Sequence, residues 1–193
     1  MTRQLRPAIA ILLLFTLLVG LAYPLAMTGI AQLAMPYQAN GSLIVENGKV
    51  IGSEIIGQNF ARPGYFHARP SAAGNNGYDP MNSGGSNFGP ASKALIDRTK
   101  ASVAAARADG AAGPLPPDLV TASASGLDPH ISPDAAYLQV ARVAKARGLD
   151  PAFVRALVER NVETPFVPFL GDPVVNVLAL NRQLDRIGAK SGR

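Results

Sequence analysis

The pattern of apolar and polar positions divides the chain in two. No Lys, Arg, Asp or Glu occurs between Arg6 and Glu46, and residues 7–34 read PAIAILLLFTLLVGLAYPLAMTGIAQLA. As one helix this stretch would be about 42 Å long at ~1.5 Å per residue, against a hydrocarbon core of ~30 Å. It is therefore predicted to span a bilayer with tilt. The apolar run is about twice the ~7–15 residues of a secretory signal, so a retained anchor is expected over a cleaved leader. Pro24 lacks a backbone donor in mid-span and predicts a kink. Gly20 and Gly29 flank it as small residues that let another helix approach closely. Gly20, Pro24 and Gly29 are the candidate packing positions of the span.

Beyond the span the periods change. Leu43-Ile44-Val45, Glu46-Asn47-Gly48 and Lys49-Val50-Ile51 predict a β-hairpin, because Asn-Gly suits a type I′ turn. From Gly57 to Pro90 periodicity is lost among turn-forming residues, and a loop this long is either functional or packed against something else. A helix is predicted from Pro90 to Ala108, with Leu95, Ser102, Val103 and Ala106 on one face, and a strand over Asp118–Ala122. Ser132-Pro133 opens a helix to Arg147 that stops at Gly148. Asp150-Pro151 opens a shorter one to about Arg160, with Phe153 and Leu157 four apart. Asp172-Pro173 is expected to open a third, with Val177, Leu180, Leu184 and Ile187 on its inner face and Gly188 at its end. The fold class is thus α+β: one N-terminal transmembrane helix, then a small α+β domain, helix-rich in its C-terminal half.

Charge orients this arrangement. Arg3 and Arg6 precede the span and the next positive charge is Lys49, so the positive-inside rule predicts residues 1–6 in the cytoplasm, 7–34 in the membrane and 35–193 outside, in the extracytoplasmic (periplasmic) space. The domain's 16 basic residues face 13 acidic ones and are scattered, which argues against nucleic acid as a partner. The absence of cysteine excludes disulfides, thiolate metal sites and a cysteine nucleophile.

Candidate chemistry is sparse. There is no phosphate-binding GxxxxGK[ST] loop, no GxSxG elbow and no HExxH helix. His67 and His130 are the only histidines, and no carboxylates stand at metal-ligand spacing around His67, so no metal site is expected. Residues 123–130, SASGLDPH, hold Ser125, Asp128 and His130, but too close together for a catalytic triad, whose members come from separate elements. The better reading is structural: Asp128 and Ser132 tie a turn and helix start, and His130 packs or hydrogen-bonds locally. A membrane-anchored hydrolase using Ser125 and His130 is the remote alternative, and the expectation is no catalytic residue. Tyr65, Phe66, His67 and Arg69 form a second cluster, suited to gripping a partner or to packing with Arg69 bridging backbone carbonyls.

At GQNF (57–60), YFHARPSAA (65–73), SGGSNFGP (83–90), LVTASASGLDPHISP (119–133) and VNVLALN (175–181), in that order behind one span, the sequence resembles the KdpC family, the C subunits of bacterial high-affinity potassium-transporting P-type ATPases. The resemblance covers nearly the whole chain. It implies a non-catalytic accessory subunit of the bacterial inner membrane, needed for assembly of an ATP-driven potassium uptake pump and for coupling hydrolysis to transport. It also implies partners: a channel-like potassium-binding subunit, a P-type ATPase subunit and membrane lipid. K+, Mg2+ and ATP are then used by the complex, and no cofactor is bound by this chain. No DKTG phosphorylation motif or TVGYG-like filter is present, in keeping with that division of labour. The family is also described as a catalytic chaperone that raises ATP affinity through a ternary complex. Ser83, Gly84, Gly85 and Ser86 are the candidate nucleotide-binding residues for that alternative, although no lysine follows them. Tyr65, Phe66, His67, Arg69, Asn87, Asp128 and His130 are the candidate partner-interface or structural residues.

Overall fold

A computed structural model describes residues 2–191 as two compact units, Met1–Ile51 and Gly52–Arg193. In the first, helix α1 (Leu5–Leu17) passes through a π-helical turn at Leu18–Ala22 into α2 (Tyr23–Ala34), giving 30 helical residues in succession. No residue of α1 or α2 is buried, so this surface is left for an apolar surrounding. The disturbance predicted at Pro24 takes the form of the π turn: Tyr23 N–H donates to Leu18 O, five residues back. Proline cannot donate to Gly20 O, and its ring crowds that carbonyl; widening the preceding turn relieves both. The short helix α3 (Pro36–Ala39) follows, and the side chains of Gln32 and Asn40 exchange amide hydrogen bonds of 3.1 and 3.3 Å across the bend.

Strands β1 (Leu43–Glu46) and β2 (Lys49–Ser53) form the predicted hairpin. Asn47 and Gly48 both have positive φ, at 51° and 76°, as the type I′ turn requires.

In the second unit the chain runs without long regular structure to α4 (Lys93–Ala108), three residues later than the expected start at Pro90. Leu95, Ser102, Val103 and Ala106 share the half-buried face. The strand expected over Asp118–Ala122 does not form. Pro117–Leu119 is a 3-10 turn, because the Asp118 carboxylate is drawn to Ser132, accepting from its N at 2.6 Å and its Oγ at 3.1 Å. Strand β3 (His130–Ile131) leads into α5 (Pro133–Arg147) and α6 (Pro151–Arg160), which pack on each other. Ser132 Oγ caps α5 by accepting from Ala135 N, and Asp150 caps α6 by accepting from Ala152 N. Gly148 ends α5 in the left-handed conformation. On α6 the inner positions are Val154, Leu157 and Val158, while Phe153 is 44% exposed and lies off that face.

The largest departure is at residues 172–177. Asp172-Pro173 opens no helix; Val174–Asn176 is strand β5, and helix α7 starts only at Val177. Two adjacent valines suit a strand, and β5 is the centre of a three-stranded antiparallel sheet, pairing with β3 (Ile131↔Val175) and with β4, Val162–Glu163 (Val162↔Val175). Asn176 then starts α7, its Oδ1 accepting from Ala179 N at 3.0 Å. The helix continues through Gly188 to Ser191 instead of stopping there. Its inner face is the predicted one: Val177, Leu180 and Leu184 are buried, with Ile187 packed against the core. That core joins α5, α6, α7 and β5, and its largest fully buried side chain is Phe66.

Candidate functional site

Phe66 comes from the region without periodicity, and its burial shows what that region does. Residues 63–67 lie against the helical core without regular strand or helix, and their backbone polar groups find partners on side chains. Asn181 on α7, 1% exposed, grips Phe66 twice: its Oδ1 accepts from Phe66 N at 2.8 Å and its Nδ2 donates to Phe66 O at 2.9 Å. Gln139 on α5 repeats the pattern one residue on, accepting from His67 N at 2.7 Å and donating to His67 O at 3.1 Å. Arg142 donates to the carbonyls of Pro63 (2.6 Å) and Tyr65 (3.0 Å), and Arg147 to that of Gly64. Arg147 also pairs with Asp185 at 2.9 Å and lies over the Tyr65 ring, whose hydroxyl donates to the same carboxylate at 3.1 Å.

The bridging of carbonyls expected of Arg69 thus falls to Arg142 and Arg147. Arg69 pairs instead with Asp128, 3.0 Å away. Asp128 Oδ1 also accepts from His130 N at 3.0 Å, with the His130 ring 3.6 Å away. Burial acts to raise the Asp128 pKa, but the His130 and Arg69 hydrogen bonds outweigh it and hold the carboxyl below its ordinary value. Asp128 thus ties the turn at residues 128–130, with His130 bonded locally. Ser125 Oγ is occupied separately, accepting from Leu127 N at 3.1 Å.

The Gly-rich loops are held by the same stretch. Gly84 N and Ser83 Oγ both donate to Ser125 O, at 2.8 and 3.0 Å, and an atom added at Gly85 would meet Ala124 O at 3.1 Å. Ser71 Oγ donates to Gly126 O and accepts from Tyr78 N. Gly84 and Ser83 therefore spend these donors on the chain itself. Ser86 and Asn87 lie further along the loop, Asn87 with φ of 52°. Tyr78 donates to Arg69 O, and burial followed by the nearby Asp128 charge pushes its pKa up to about 12.

His67 lines a 180 Å³ cleft among α4, α5 and residues 67–70, together with several alanines and the polar Asp109, Gln139 and Arg142. Its Nδ1 is 3.1 Å from Asp109 Oδ2 and its Nε2 is 3.3 Å from Arg62 O. Burial and the Arg142 charge lower the His67 pKa despite the opposing pull of Asp109. A second, more open cleft of 550 Å³ is lined by Arg69, Ser83, Ser125 and Asp128.

The structure therefore brings the candidate residues together as two ties of one scaffold: Tyr65, Phe66 and His67 on α5 and α7, and Arg69, Asp128 and His130 between loops. Sequence reasoning missed their receivers, Gln139, Arg142, Asn181 and Asp109. The available signal was an amide on an otherwise apolar helical face, at Gln139 and at Asn181.

A helix long and apolar enough to cross a bilayer, followed by a small α+β domain, is the build of a single-anchor membrane subunit. The chain belongs to the KdpC family: the family model described as the c chain of K+-transporting ATPase matches residues 5–186. Similar proteins include the potassium-transporting ATPase KdpC subunits of Caulobacter vibrioides (56% identity over 96% of this chain and 94% of the relative) and Bradyrhizobium diazoefficiens (54%, covering 98% and 100%). The KdpC subunit of Koribacter versatilis is 51% identical over 96% of this chain and 95% of its own.

Proposed function

We propose that this chain is a non-catalytic accessory subunit of an ATP-driven potassium uptake pump of the bacterial inner membrane. It holds the complex together and couples ATP hydrolysis to potassium entry. Its partners are the channel-like potassium-binding subunit and the P-type ATPase subunit, which with Mg2+ carry the ion and the ATP chemistry. The carrying observation is a family match that runs unbroken through anchor and domain, residues 5–186.

The side-chain chemistry supports this reading. Ser125, Asp128 and His130 are engaged in local turn bonds, and the best-formed polar cluster clamps the protein's own backbone. Arg3 and Arg6 ahead of the helix and no cation until Lys49 support a cytoplasmic N-terminus with the domain outside. The small positions Gly20 and Gly29, on a helix with no buried residue, suit packing beside a neighbouring span.

The test is affinity purification of the tagged chain from mild detergent, with potassium-stimulated ATP hydrolysis measured on the eluate. Recovery of both partner subunits with activity is expected. A complex of the other two that forms and hydrolyses ATP with full potassium stimulation in the absence of this chain would refute the proposal.

A further inference from the structure

Apart from Met81, the most exposed large apolar side chains among the described residues of the second unit lie on one loop. Phe166, Phe169 and Leu170 are 102%, 84% and 71% exposed, within the loop 164–173 (TPFVPFLGDP). A folded domain seldom leaves two phenylalanines and a leucine in water on one short loop unless something covers them.

The loop is also built to keep its shape. Its ends are fixed side by side by the β4–β5 pairing, Glu163 opposite Val174, one residue from the fully buried Val175. Leu170 N donates to Val167 O at 2.9 Å, closing a turn at the tip. Pro165 and Pro173 restrict the backbone before any partner arrives, which lowers the ordering cost of docking. The charges that frame the apolar tip, Glu163 and Asp172, are both acidic and exposed. An acidic rim is unfavourable next to an anionic lipid surface and favourable next to a basic one.

We infer that loop 164–173 is a preformed docking knob whose Phe166, Phe169 and Leu170 enter an apolar cleft, rimmed by basic residues, on another subunit of the same complex. This rests on the proposed pump-subunit reading and adds to it a contact surface and the chemistry of its receptor. Aromatic anchors in a desolvated pocket, with charges at the rim, are the usual anatomy of such a contact.

The chain contains no cysteine, so Leu170→Cys places a single environment-sensitive fluorophore beside both phenylalanines. The labelled full chain is followed in liposomes, alone and after assembly with the other subunits. The expected result is a blue shift that appears only on assembly. A second variant, Phe166→Ser with Phe169→Ser, should weaken assembly at least tenfold while thermal unfolding of the isolated chain stays unchanged, and raised salt should weaken the wild-type contact. A shift in liposomes alone that brominated lipids quench would assign the loop to the membrane and overturn the inference. A shift that depends on the chain's own concentration would assign it to a second copy, with the same consequence. Assembly with no shift, or with full strength in the double variant, also overturns it but leaves the pump-subunit reading intact. Failure of the unlabelled wild-type chain to assemble would instead remove the reading on which the inference rests.

Discussion

Replacing Asn181 by alanine should release the segment that carries Phe66. The Asn181 amide is 1% exposed and spends its oxygen and its nitrogen on the two backbone groups of one residue, at 2.8 and 2.9 Å. Alanine leaves a buried donor and a buried acceptor unpaired, at ~1–3 kcal/mol each, so a loss of about 2–6 kcal/mol is expected. Set against the ~5–15 kcal/mol of a typical domain, this is enough to unfold the segment or the whole unit. Asn181→Asp should not rescue it. A carboxylate can still accept from Phe66 N, but it turns an acceptor toward the Phe66 carbonyl and buries a charge. The assay is thermal unfolding of the full chain in mild detergent, with amide hydrogen exchange read at residues 64–69. Accelerated exchange at the Phe66 amide is the local signature. If Asn181→Ala changes stability by less than about 0.5 kcal/mol, the range of a neutral surface substitution, and Phe66 stays protected, the clamp is not what holds the segment.

Other expectations follow from single groups. Gly126 has φ of 66°, and an added Cβ would lie 2.7 Å from both Ala73 N and Gly84 O; Gly148 has φ of 64° with open space around it. Gly126→Ala should therefore cost about 2–6 kcal/mol from backbone strain plus overlap, and Gly148→Ala about 1–2 kcal/mol from conformation alone, as denaturant titrations would show. The lowered His67 pKa, caused by burial and then by Arg142, means that the unfolded chain takes up a proton first as pH falls below about 6.5. The stability contribution of neutral His67 is thus complete above that value and declines as pH drops through the window beneath it; His67→Gln should flatten the melting temperature between pH 7.5 and 5. Asp128 acts in the same direction at lower pH. Its depressed pKa makes its contribution complete above about 3.9 and lost as pH falls through its folded value, so Asp128→Asn should destabilise at pH 7 and have little effect at pH 2.

The parts of the fold legible in the sequence are those governed by local rules. The apolar run, the Asn47-Gly48 hairpin, the Ser132 and Asp150 caps and the Gly148 stop depend on residues within about one turn of each other. The misread parts depend on distant partners. Asp118 looked like the start of a strand because nothing nearby revealed that its carboxylate would bind Ser132, 14 residues on. Asp172-Pro173 carried a helix-start pattern, yet the valines behind it were claimed by two strands, β3 and β4, each only two residues long. The same limit applies at the site. Tyr65, Phe66, His67 and Arg69 stood out by composition, but their receivers lie 59 to 120 positions away along the chain.

Those distances also explain why residues 57–90 show no period. A strand or helix satisfies its backbone by repetition, which imposes a pattern on its side chains. Within this segment, residues 63–67 bond their backbone to the side chains of Gln139, Arg142, Arg147 and Asn181. Its own side chains are then free to serve other ends: Phe66 fills the core, Arg69 ties to Asp128, and Ser71 anchors the turn at Gly126. A scaffold held this way is specific and brittle, because Gln139, Arg142 and Asn181 each serve two backbone groups at once. For a subunit whose work is to hold partners in place, that is a physical advantage: a loop fixed by buried amides and guanidiniums presents one surface and does not exchange it for another. Variants of Gln139, Arg142 and Asn181 should accordingly impair assembly of the complex together with the stability of the domain, whereas Phe166 and Phe169, on the exposed loop, should separate the two.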